Sequence, residues 1–149
     1  MLVQTSRFGQ VEVDEARIIT FPKGILGFPS FKHYVLLQPA ADSPFYWLQA
    51  MEMPELAFVV TDPSLFVTTY RVALKREQMD EMGIDQLADA QVLVIVNRYG
   101  ASLTGNLQGP LVINGTTRVG EQLVLSDKRY HTRVPLMEMA APVEMAASA

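Results

Sequence analysis

Histidine and serine are the side chains from which hydrolytic chemistry would have to come in this chain. The sequence contains two histidines, His33 and His131, and no cysteine. A serine nucleophile needs an imidazole base beside it and a further group that orients that base. The segment GASLT, which contains Ser102, approaches the G-x-S-x-G pattern of serine hydrolases but lacks its last glycine. We therefore predict that the protein has no catalytic residues and is not an enzyme.

A group of carboxylates is the second candidate for chemistry. Asp80, Glu81, Asp85 and Asp89 lie close together on a predicted helix and its exit. Their spacing does not match the ligand positions of an EF-hand loop. Without cysteine or an H-E-x-x-H segment, the usual zinc sites are excluded as well. A solvated acidic face is the simpler interpretation, and we predict no bound metal, no cofactor and no small-molecule substrate.

Two short segments are compatible with nucleic-acid binding. KGILG contains the G-x-x-G pattern with which KH modules hold an RNA backbone, but strand patterns rather than helices flank it here. KRYHTR, residues 128–133, is the one dense basic run, and a solvent-exposed edge strand accounts for it. Sixteen acidic against twelve basic residues give a net charge of −4, which disfavours contact with phosphates. We predict no direct nucleic-acid binding and keep a small nucleic-acid-binding β-barrel as the alternative function.

A block of three aromatic residues favours a protein partner instead. A β-strand directs Tyr46 to the face opposite Phe45 and Trp47, so one face must be exposed or covered by another element. Packing in the core accounts for at least one of these rings. Exposed aromatic rings beside flexible methionines are typical of surfaces that bind a partner. We predict that the outward ring among Phe45, Tyr46 and Trp47 is an anchor, and that Asp80, Glu81 and Asp85 form an electrostatic rim.

Strand patterns dominate the elements that must position these residues. Short runs rich in β-branched and aromatic residues alternate with breaks that contain glycine or proline. KREQMDEMG predicts a helix that ends in a left-handed cap at Gly83, and IDQLADA is compatible with one further helical turn. The strands are predicted in LVQTS, QVEVD, RIITF, YVLLQ, FYWLQA, LAFVVT, LFVTTYRVAL, QVLVIVNR, LTGNLQ, LVI, TTRV with EQLVL, and KRYHTRVPL.

The segment LTGNLQGPLVIN combines strand residues with strand breakers. Gly109 and Pro110 separate two strands, because proline has no N–H to give and belongs at a strand start or edge. The side-chain amide of Asn106 is predicted to bond neighbouring backbone. Asn114 and Gly115 are the residue types of a type I′ hairpin turn, whose two central residues have positive φ. Most of these interruptions are therefore interpreted as backbone features rather than as a binding loop.

The length and patterning predict one folded domain. We expect an all-β fold, mainly antiparallel, in the form of a small closed or partly open β-barrel or sandwich-like domain with one or two short helices. Residues 1–136 are predicted to form it, and the Ala/Met-rich residues 137–149 are predicted to be disordered. There is no signal-peptide pattern and no apolar run near the ~20 residues of a spanning helix. We expect a soluble, cytoplasmic protein without a membrane partner.

Several blocks of the sequence, in order, resemble one known family. NLQGPLVIN resembles N-L-x-A-P-[IV]-[VI]-[VI]-N, ITFPKGILGF resembles I-x-F-x-x-G-[IL]-x-G-F, and the run from PFYWLQA to FVVTDP resembles a third block of the flagellar assembly factor FliW family. GEQLVL and YHTRVPL resemble its closing segment, so the resemblance covers about residues 3–136. Ala50 and Gly109 stand where serine and alanine are usual. The family-signature residues, taken as mainly structural, are Gly24, Gly27, Phe28, Pro54, Phe58, Asp62, Pro63, Asn106, Leu107, Pro110, Asn114 and Gln122.

This resemblance implies a function that composition and spacing do not reach. FliW-like proteins are non-enzymatic: they bind the translational repressor CsrA, relieve its repression of flagellin mRNA, and bind newly made flagellin. Flagellin thereby competes for FliW, frees CsrA and stops its own synthesis until secretion lowers its level. An acidic chain is compatible with this role, because CsrA must present a basic face to RNA and an acidic protein beside that face repels phosphates.

Overall fold

β-strands are the main regular secondary structure of the described residues. The computed structural model describes residues 1–38 and 40–138. It contains one α-helix in that part of the chain, α1 (Arg76–Met82), and short 3-10 turns at Glu15–Arg17, Pro63–Leu65 and Leu87–Asp89. The strands are β1 (Leu2–Thr5), β2 (Gly9–Glu12), β3 (Ile19–Thr20), β4 (His33–Leu37), β5 (Phe45–Ala50), β6 (Ala57–Thr61), β7 (Ala90–Tyr99), β8 (Ser102–Gly105), β9 (Leu111–Asn114), β10 (Gly120–Gln122) and β11 (Val134–Glu138).

The main sheet is an antiparallel half-barrel centred on β7. Its strand order is β10-β9-β7-β6-β5-β4-β3, and β8 pairs with both β7 and β11. One edge of the long strand β7 is shared by two strands: Ala90–Leu93 pairs with β9, and Val96–Tyr99 pairs with β8. A parallel bridge between Thr20 and Val119 joins β3 to the β9–β10 turn and partly closes the curl. β1 and β2 form a separate hairpin.

Two apolar layers stabilise the sheet, one on each face. The inner layer is the principal core, and it contains the largest fully buried side chains, Tyr34, Phe21 and Ile19. Alternation along β7 directs Leu93 into that core, while Val94 faces the opposite layer. The outer layer is completed by the segment before α1 and by the helix itself, and its buried members are Tyr70, Met82, Ile84, Val94, Leu107, Val112, Leu123 and Tyr130.

The predicted fold class and helix are confirmed. In the part of the chain that the structure describes, the protein is mostly antiparallel β, in a partly open barrel with one helix. Gly83 ends α1 with φ +68°, and its N–H donates to the carbonyls of Asp80 and Met79, which is the left-handed cap predicted from the sequence. The domain boundary at residue 136 stays a prediction, although β11 continues to Glu138. The predicted disordered tail lies outside the described residues from 139 onward.

The predicted strand over residues 65–74 is wrong. Asp62 and Pro63 begin a 3-10 turn there, and the N–H of Val67 then donates to the Pro63 carbonyl and that of Tyr70 to the Val67 carbonyl. These local bonds use backbone groups that a ladder would need. Val67, Tyr70 and Val72 nonetheless pack against the outer layer, although their spacing is not that of one face of a strand. The hydrophobic residues of this segment therefore hold a packed loop against the sheet and do not form a strand.

The predicted type I′ turn at Asn114 and Gly115 is also wrong. Neither residue has positive φ; that conformation falls on Arg118, at φ +63°. Asn114 ends β9, its N–H donates to the Val119 carbonyl, and its carbonyl accepts the N–H of Arg118. The connection is thus a longer turn, and the Asn114 side chain caps it by accepting the N–H of Thr116 at 2.9 Å.

The predicted basic strand begins later than its sequence suggests. Residues 128–133 form turns, and β11 starts at Val134. The Asp127 carboxylate holds Arg129 at 2.7 Å, and the Asp127 carbonyl accepts the N–H of Tyr130. Tyr130 is buried at 8% exposure. The basic run therefore does not present its tyrosine on an open strand face.

Candidate partner-binding site

The acidic face of α1 is positioned by its two ends and by one buried methionine. The Gln78 side chain accepts the Lys75 N–H at 2.9 Å and satisfies a donor at the start of the helix. Met82 packs in the outer layer beside Val112 and is 2% exposed. With Met82 inward, Asp80 points to solvent with its side chain 69% exposed, and its nearest cation is Arg76 at 3.6 Å. Surface pairs of this kind contribute little stability.

Glu81 is part of a cluster of three charged residues and does not face solvent alone. The Lys23 ammonium lies 2.9 Å from the Glu81 carboxylate and 3.3 Å from that of Glu121. Burial raises the pKa of Glu121 above 4.5, and the neighbouring Glu81 carboxyl raises it further. The hydrogen bond with Glu121, followed by that with Lys23, lowers the pKa of Glu81. Glu81 is therefore the carboxyl of the pair that ionises more readily, and Lys23 compensates part of its charge.

A shallow apolar depression, the Leu87 pocket, lies where the acidic segment leaves α1. It has a volume of about 220 Å³ and contains Leu87 and Val92 from one side and Pro63 and Val72 from the other. Leu87 is 60% exposed at its edge. The full lining is Asp62, Pro63, Ser64, Tyr70, Arg71, Val72, Leu74, Leu87, Ala90 and Val92.

One acidic residue lines this pocket, and two more lie near Leu87 in the chain. Asp85 and Asp89 are exposed on either side of Leu87 in the chain. Asp62 is part of the lining, where its carboxylate caps the 3-10 turn by accepting the N–H of Ser64 at 2.9 Å. Leu65 follows on that turn and is 60% exposed. An exposed apolar site with acidic neighbours fits an amphipathic partner that carries basic groups.

The three aromatic residues of β5 separate into different environments. Phe45 stacks on Phe66, with ring centroids 5.9 Å apart, just beyond the 3-10 turn that borders the Leu87 pocket. Tyr46 is half-buried and packs against the principal core. Trp47 lies on the Phe45 side of the strand but against the β1–β2 hairpin, where Phe8 meets it edge to face at 6.0 Å. The predicted anchor therefore divides into three distinct sites.

A second depression, the Trp47 cleft, carries the opposite charge. It has a volume of about 220 Å³ and is lined by Arg7, Trp47, Ala57, Phe58, Val59, Ile95, Val96, Asn97, Arg98 and Leu103. It shares no lining residue with the Leu87 pocket. The structure thus places Leu87, which lies between Asp85 and Asp89 in the chain, at one depression and Trp47 at another. Sequence reasoning missed Leu65, Leu87, Arg7 and Arg98. The two leucines could have been identified from their position within acidic segments, where a side chain is expected to be exposed.

The predicted signature residues have local structural contacts. Gln122 connects two loops, because its Nε2 donates to the Gly109 carbonyl at 2.9 Å and its Oε1 accepts the Leu26 N–H at 2.8 Å. Asn106 accepts the Gly109 N–H at 2.9 Å, as predicted for its side chain. Asn114 Nδ2 donates to the carbonyls of Met82 and Gly83 at 3.0 and 3.1 Å. Pro110 directly precedes β9. Gly24 and Gly27 both have positive φ. The Phe28 ring meets the Phe58 ring edge to face, with centroids 5.6 Å apart.

Further signature residues fix loops around β5 and β6. The Pro54 carbonyl accepts the Ser6 N–H at 3.0 Å and so connects the β1–β2 hairpin to the β5–β6 turn. The buried Gln49 amide also donates to that carbonyl, at 3.1 Å. Asp62 and Pro63 start the 3-10 turn described above. These contacts are consistent with the mainly structural roles expected of the signature residues.

The two histidines have ordinary surface environments. His33 Nδ1 lies 3.0 Å from Glu52, and His131 is exposed. Burial acts to raise the pKa of Glu52, but hydrogen bonds from Lys32 and His33 outweigh it, and that pKa is lowered. In residues 1–38 and 40–138, His, Asp and Glu side chains nowhere cluster in threes suited to a metal ion. The helical segments described there are all too short or too polar to span a bilayer.

By its fold, the chain belongs to a class of small β half-barrel proteins, and a crystal structure of one such protein is known. It superposes on the crystal structure of a flagellar assembly factor FliW with a TM-score of 0.84 and 33% identity, over 95% of this chain and 100% of that one. The sequence model of the FliW protein family matches residues 2–136. The chain belongs to the FliW family.

Curated relatives agree with this assignment. The chain is 41% identical to the flagellar assembly factor FliW of Geobacter sulfurreducens over 143 residues, 95% of this chain and 89% of the relative. It is 38% identical to that of Alkaliphilus metalliredigens over 141 residues, 93% of this chain and 87% of the relative. The resemblance inferred from the sequence blocks is thereby confirmed.

Proposed function

We propose that this flagellar assembly factor acts in the cytoplasm by binding proteins and not by catalysis. Its partners are the translational repressor CsrA, which it antagonises, and flagellin, which competes for it. Membership of the family, whose relatives are named flagellar assembly factors, supports an assembly role. The partners themselves follow from the resemblance inferred from the sequence.

The observation that carries the proposal is the surface formed by the acidic face of α1 and the Leu87 pocket. Leu87 lines the pocket and Leu65 follows its lining residue Ser64; each is 60% exposed, so both add to one exposed apolar area. Asp80 is exposed on α1, and the exposed Asp85 and Asp89 lie two residues before and after Leu87 in the chain. A basic RNA-binding protein matches such a surface, because opposite charges steer association and apolar anchors supply the affinity.

Antagonism follows from electrostatics without a need to cover the RNA site. A bound acidic protein places negative charge beside the basic face of CsrA and repels the phosphate backbone of RNA. A partner present at 100 times its dissociation constant shifts such an equilibrium by about 2.7 kcal/mol. Flagellin reverses the effect by removing FliW from the same pool.

A nucleic-acid-binding role is the alternative, and one observation favours it: Trp47 lines one cleft together with Arg7 and Arg98. Aromatic side chains with nearby cations are the usual platform for single strands. The other predicted part of that platform is weakened, because Tyr130 is buried and Arg129 is paired with Asp127. We therefore keep the protein-binding role as the conclusion.

An electrophoretic mobility assay tests it. With labelled flagellin leader RNA and CsrA, addition of the protein should release free RNA, and the protein alone should shift no RNA. A shift by the protein alone would instead support the alternative. Pull-downs with CsrA and with flagellin, singly and then together, test whether the two partners compete.

A matched pair of variants locates the surface. Replacing Asp80, Asp85 and Asp89 by Asn should weaken RNA release and leave Glu81 in its ion pair with Lys23. The control changes three exposed carboxylates outside the surface, as Glu15→Gln, Asp42→Asn and Glu55→Gln. Both variants change the net charge equally. Equal loss of activity in both would show that overall charge, and not this surface, matters.

A further inference from the structure

The Trp47 cleft concentrates positive charge in a protein whose net charge is negative. Arg7 and Arg98 are both exposed, and they border an apolar floor that includes Val59 and the buried Val96. Neither guanidinium forms an ion pair with a carboxylate of residues 1–38 or 40–138. Two unpaired arginines beside one apolar cleft contrast with the acidic surface around Leu87.

The arginines are held in position by contacts other than ion pairs. The Arg7 guanidinium lies over the Trp47 ring, 4.3 Å from its centroid, and Phe8 packs against the ring edge at 6.0 Å. Arg98 Nε donates to the Gly100 carbonyl at 2.9 Å. In each case hydrogen-bond donors of the guanidinium remain available. A guanidinium that is already ordered loses less side-chain entropy when it binds a carboxylate.

The dimensions of the cleft select the size of its ligand. A volume of about 220 Å³ is smaller than the ~300–1,000 Å³ of typical small-molecule sites. It suits a single apolar side chain, flanked by groups that reach the two arginines. Carboxylates are the natural partners of arginine, because each offers two oxygens to the planar fork of donors.

We propose that the Trp47 cleft is a docking site for an acidic peptide segment of a partner protein. An apolar side chain of that segment occupies the cleft beside Trp47 and Val59, and acidic residues on either side of it pair with Arg7 and Arg98. This site is separate from the acidic surface assigned to CsrA, and it does not depend on that assignment. A nucleic acid is the less suitable occupant, because Arg7 already covers the ring on which a base would stack.

The chain contains its own reporter for this site, because Trp47 is its one tryptophan. The probe is a short capped peptide with leucine at its centre and two glutamates on each side. Matched peptides replace glutamate by glutamine or by lysine. The expected result is a saturable change in Trp47 fluorescence that is strongest with the glutamate peptide and weakens with added salt.

Variants connect that signal to the arginines. Arg7→Gln and Arg98→Gln should each weaken binding of the glutamate peptide by about tenfold, as expected when a charge-assisted hydrogen bond is lost. Arg17→Gln is the matched control, since it removes an exposed arginine that lines neither the Trp47 cleft nor the Leu87 pocket, and it should leave binding unchanged. RNA release from CsrA should be normal in all three variants. If the cleft variants abolished that release instead, the cleft would belong to the CsrA surface and the proposal would be overturned.

Other occupants give other results. Equal binding of the glutamate, glutamine and lysine peptides, or no saturable change with any of them, would refute the proposal. Tighter binding of single-stranded oligothymidylate than of the glutamate peptide would assign the cleft to nucleic acid. A fluorescence change that depends on protein concentration without peptide would assign it to a second copy of the chain.

Discussion

The Tyr70 hydroxyl donates a hydrogen bond of 2.7 Å to the carbonyl oxygen of Leu107. Both residues are buried, and the Tyr70 ring meets Tyr130 edge to face at 4.7 Å. Burial raises the pKa of Tyr70, so its hydroxyl stays protonated and remains a donor. This bond connects the loop that borders the Leu87 pocket to the turn between β8 and β9.

Removing that hydroxyl should loosen the loop. Tyr70→Phe leaves the Leu107 carbonyl without this donor and should lower the free energy of unfolding by about 1–2 kcal/mol. Urea denaturation measures it. Tyr99→Phe is the control, since Tyr99 is 43% exposed and its change should be close to zero. If the two variants were equally stable, the Tyr70 bond would contribute nothing net.

Gly24 and Gly27 allow backbone strain to be separated from steric clash. Both have positive φ, but a Cβ at Gly24 would lie 2.6 Å from the Pro29 Cα, whereas one at Gly27 would meet nothing within 4 Å. Gly27→Ala should cost about 1–2 kcal/mol for the left-handed conformation. Gly24→Ala should cost about 1–3 kcal/mol more, because the backbone must move. Thermal melts of both variants test this, and a smaller loss at Gly24 would contradict the predicted clash.

Asn114 connects the end of α1 to the sheet. Its side chain is 3% exposed, donates to two carbonyls at the helix end and accepts a turn N–H. Asn114→Ala should lower the free energy of unfolding by about 2–4 kcal/mol, since several buried groups lose their partner. The exposed Asn97 provides the control, as Asn97→Ala. Hydrogen exchange in α1 should also accelerate, and unchanged protection there would show that the helix is held by packing alone.

The Glu81–Glu121 pair should titrate in two separate steps. The pKa of Glu121 is raised above 4.5 by burial first and by Glu81 second, so its folded form binds the proton more tightly than the unfolded chain. The stability contributed by this proton is present at acid pH and is lost as pH rises from 4.5 through the folded pKa. Carbon-detected NMR titration should place Glu121 above 4.5 and Glu81 below it. The reverse order would contradict the assignment of the shared proton to Glu121.

Association with CsrA should depend on charge in a specific way. Neutralising Asp80, Glu81 and Asp85 should slow association at low salt and flatten its salt dependence, while dissociation changes little. The Glu15, Asp42 and Glu55 control should keep the normal salt response. Surface plasmon resonance at several salt concentrations measures both rates. Normal association of the first variant at every salt concentration would show that the acidic face is only solvated.

Local patterns predicted most of the strands and the helix, because their signals depend on neighbours in the chain. The helix formers before Gly83 and the apolar run of β7 are of this kind. The sequence of residues 65–74 resembles that of a strand, but the segment packs as a loop. Asp62 and Pro63 start a 3-10 turn there, and the hydrophobic pattern of the segment does not reveal that turn. Arg118 adopts the positive φ expected at Gly115, because the turn is longer than two residues: Ile113 pairs with Gly120, and the Asn114 N–H donates to the Val119 carbonyl.

The candidate surfaces could be predicted only in part. The acidic residues are adjacent in sequence, so their exposure on α1 follows from helical periodicity. The Leu87 pocket is lined by residues that precede α1 in the chain and by residues that follow it. The Trp47 cleft is lined by Arg7 of the hairpin and by Arg98 of β7. Such long-range neighbours depend on how the sheet curls, which no local pattern contains.

The division of β7 between two partners also has a consequence for synthesis on the ribosome. β3 to β6 emerge first and pair in order, but the outer edge of β6 has no partner until Val94, Ile95 and Val96 have been made. An unpaired edge of this kind is open to pairing with another chain. Once β7 arrives, it covers that edge and offers its own other edge to β8 and β9, which follow directly in the chain. At this edge the nascent chain is therefore open to pairing with another chain in the interval between the completion of β6 and the arrival of β7.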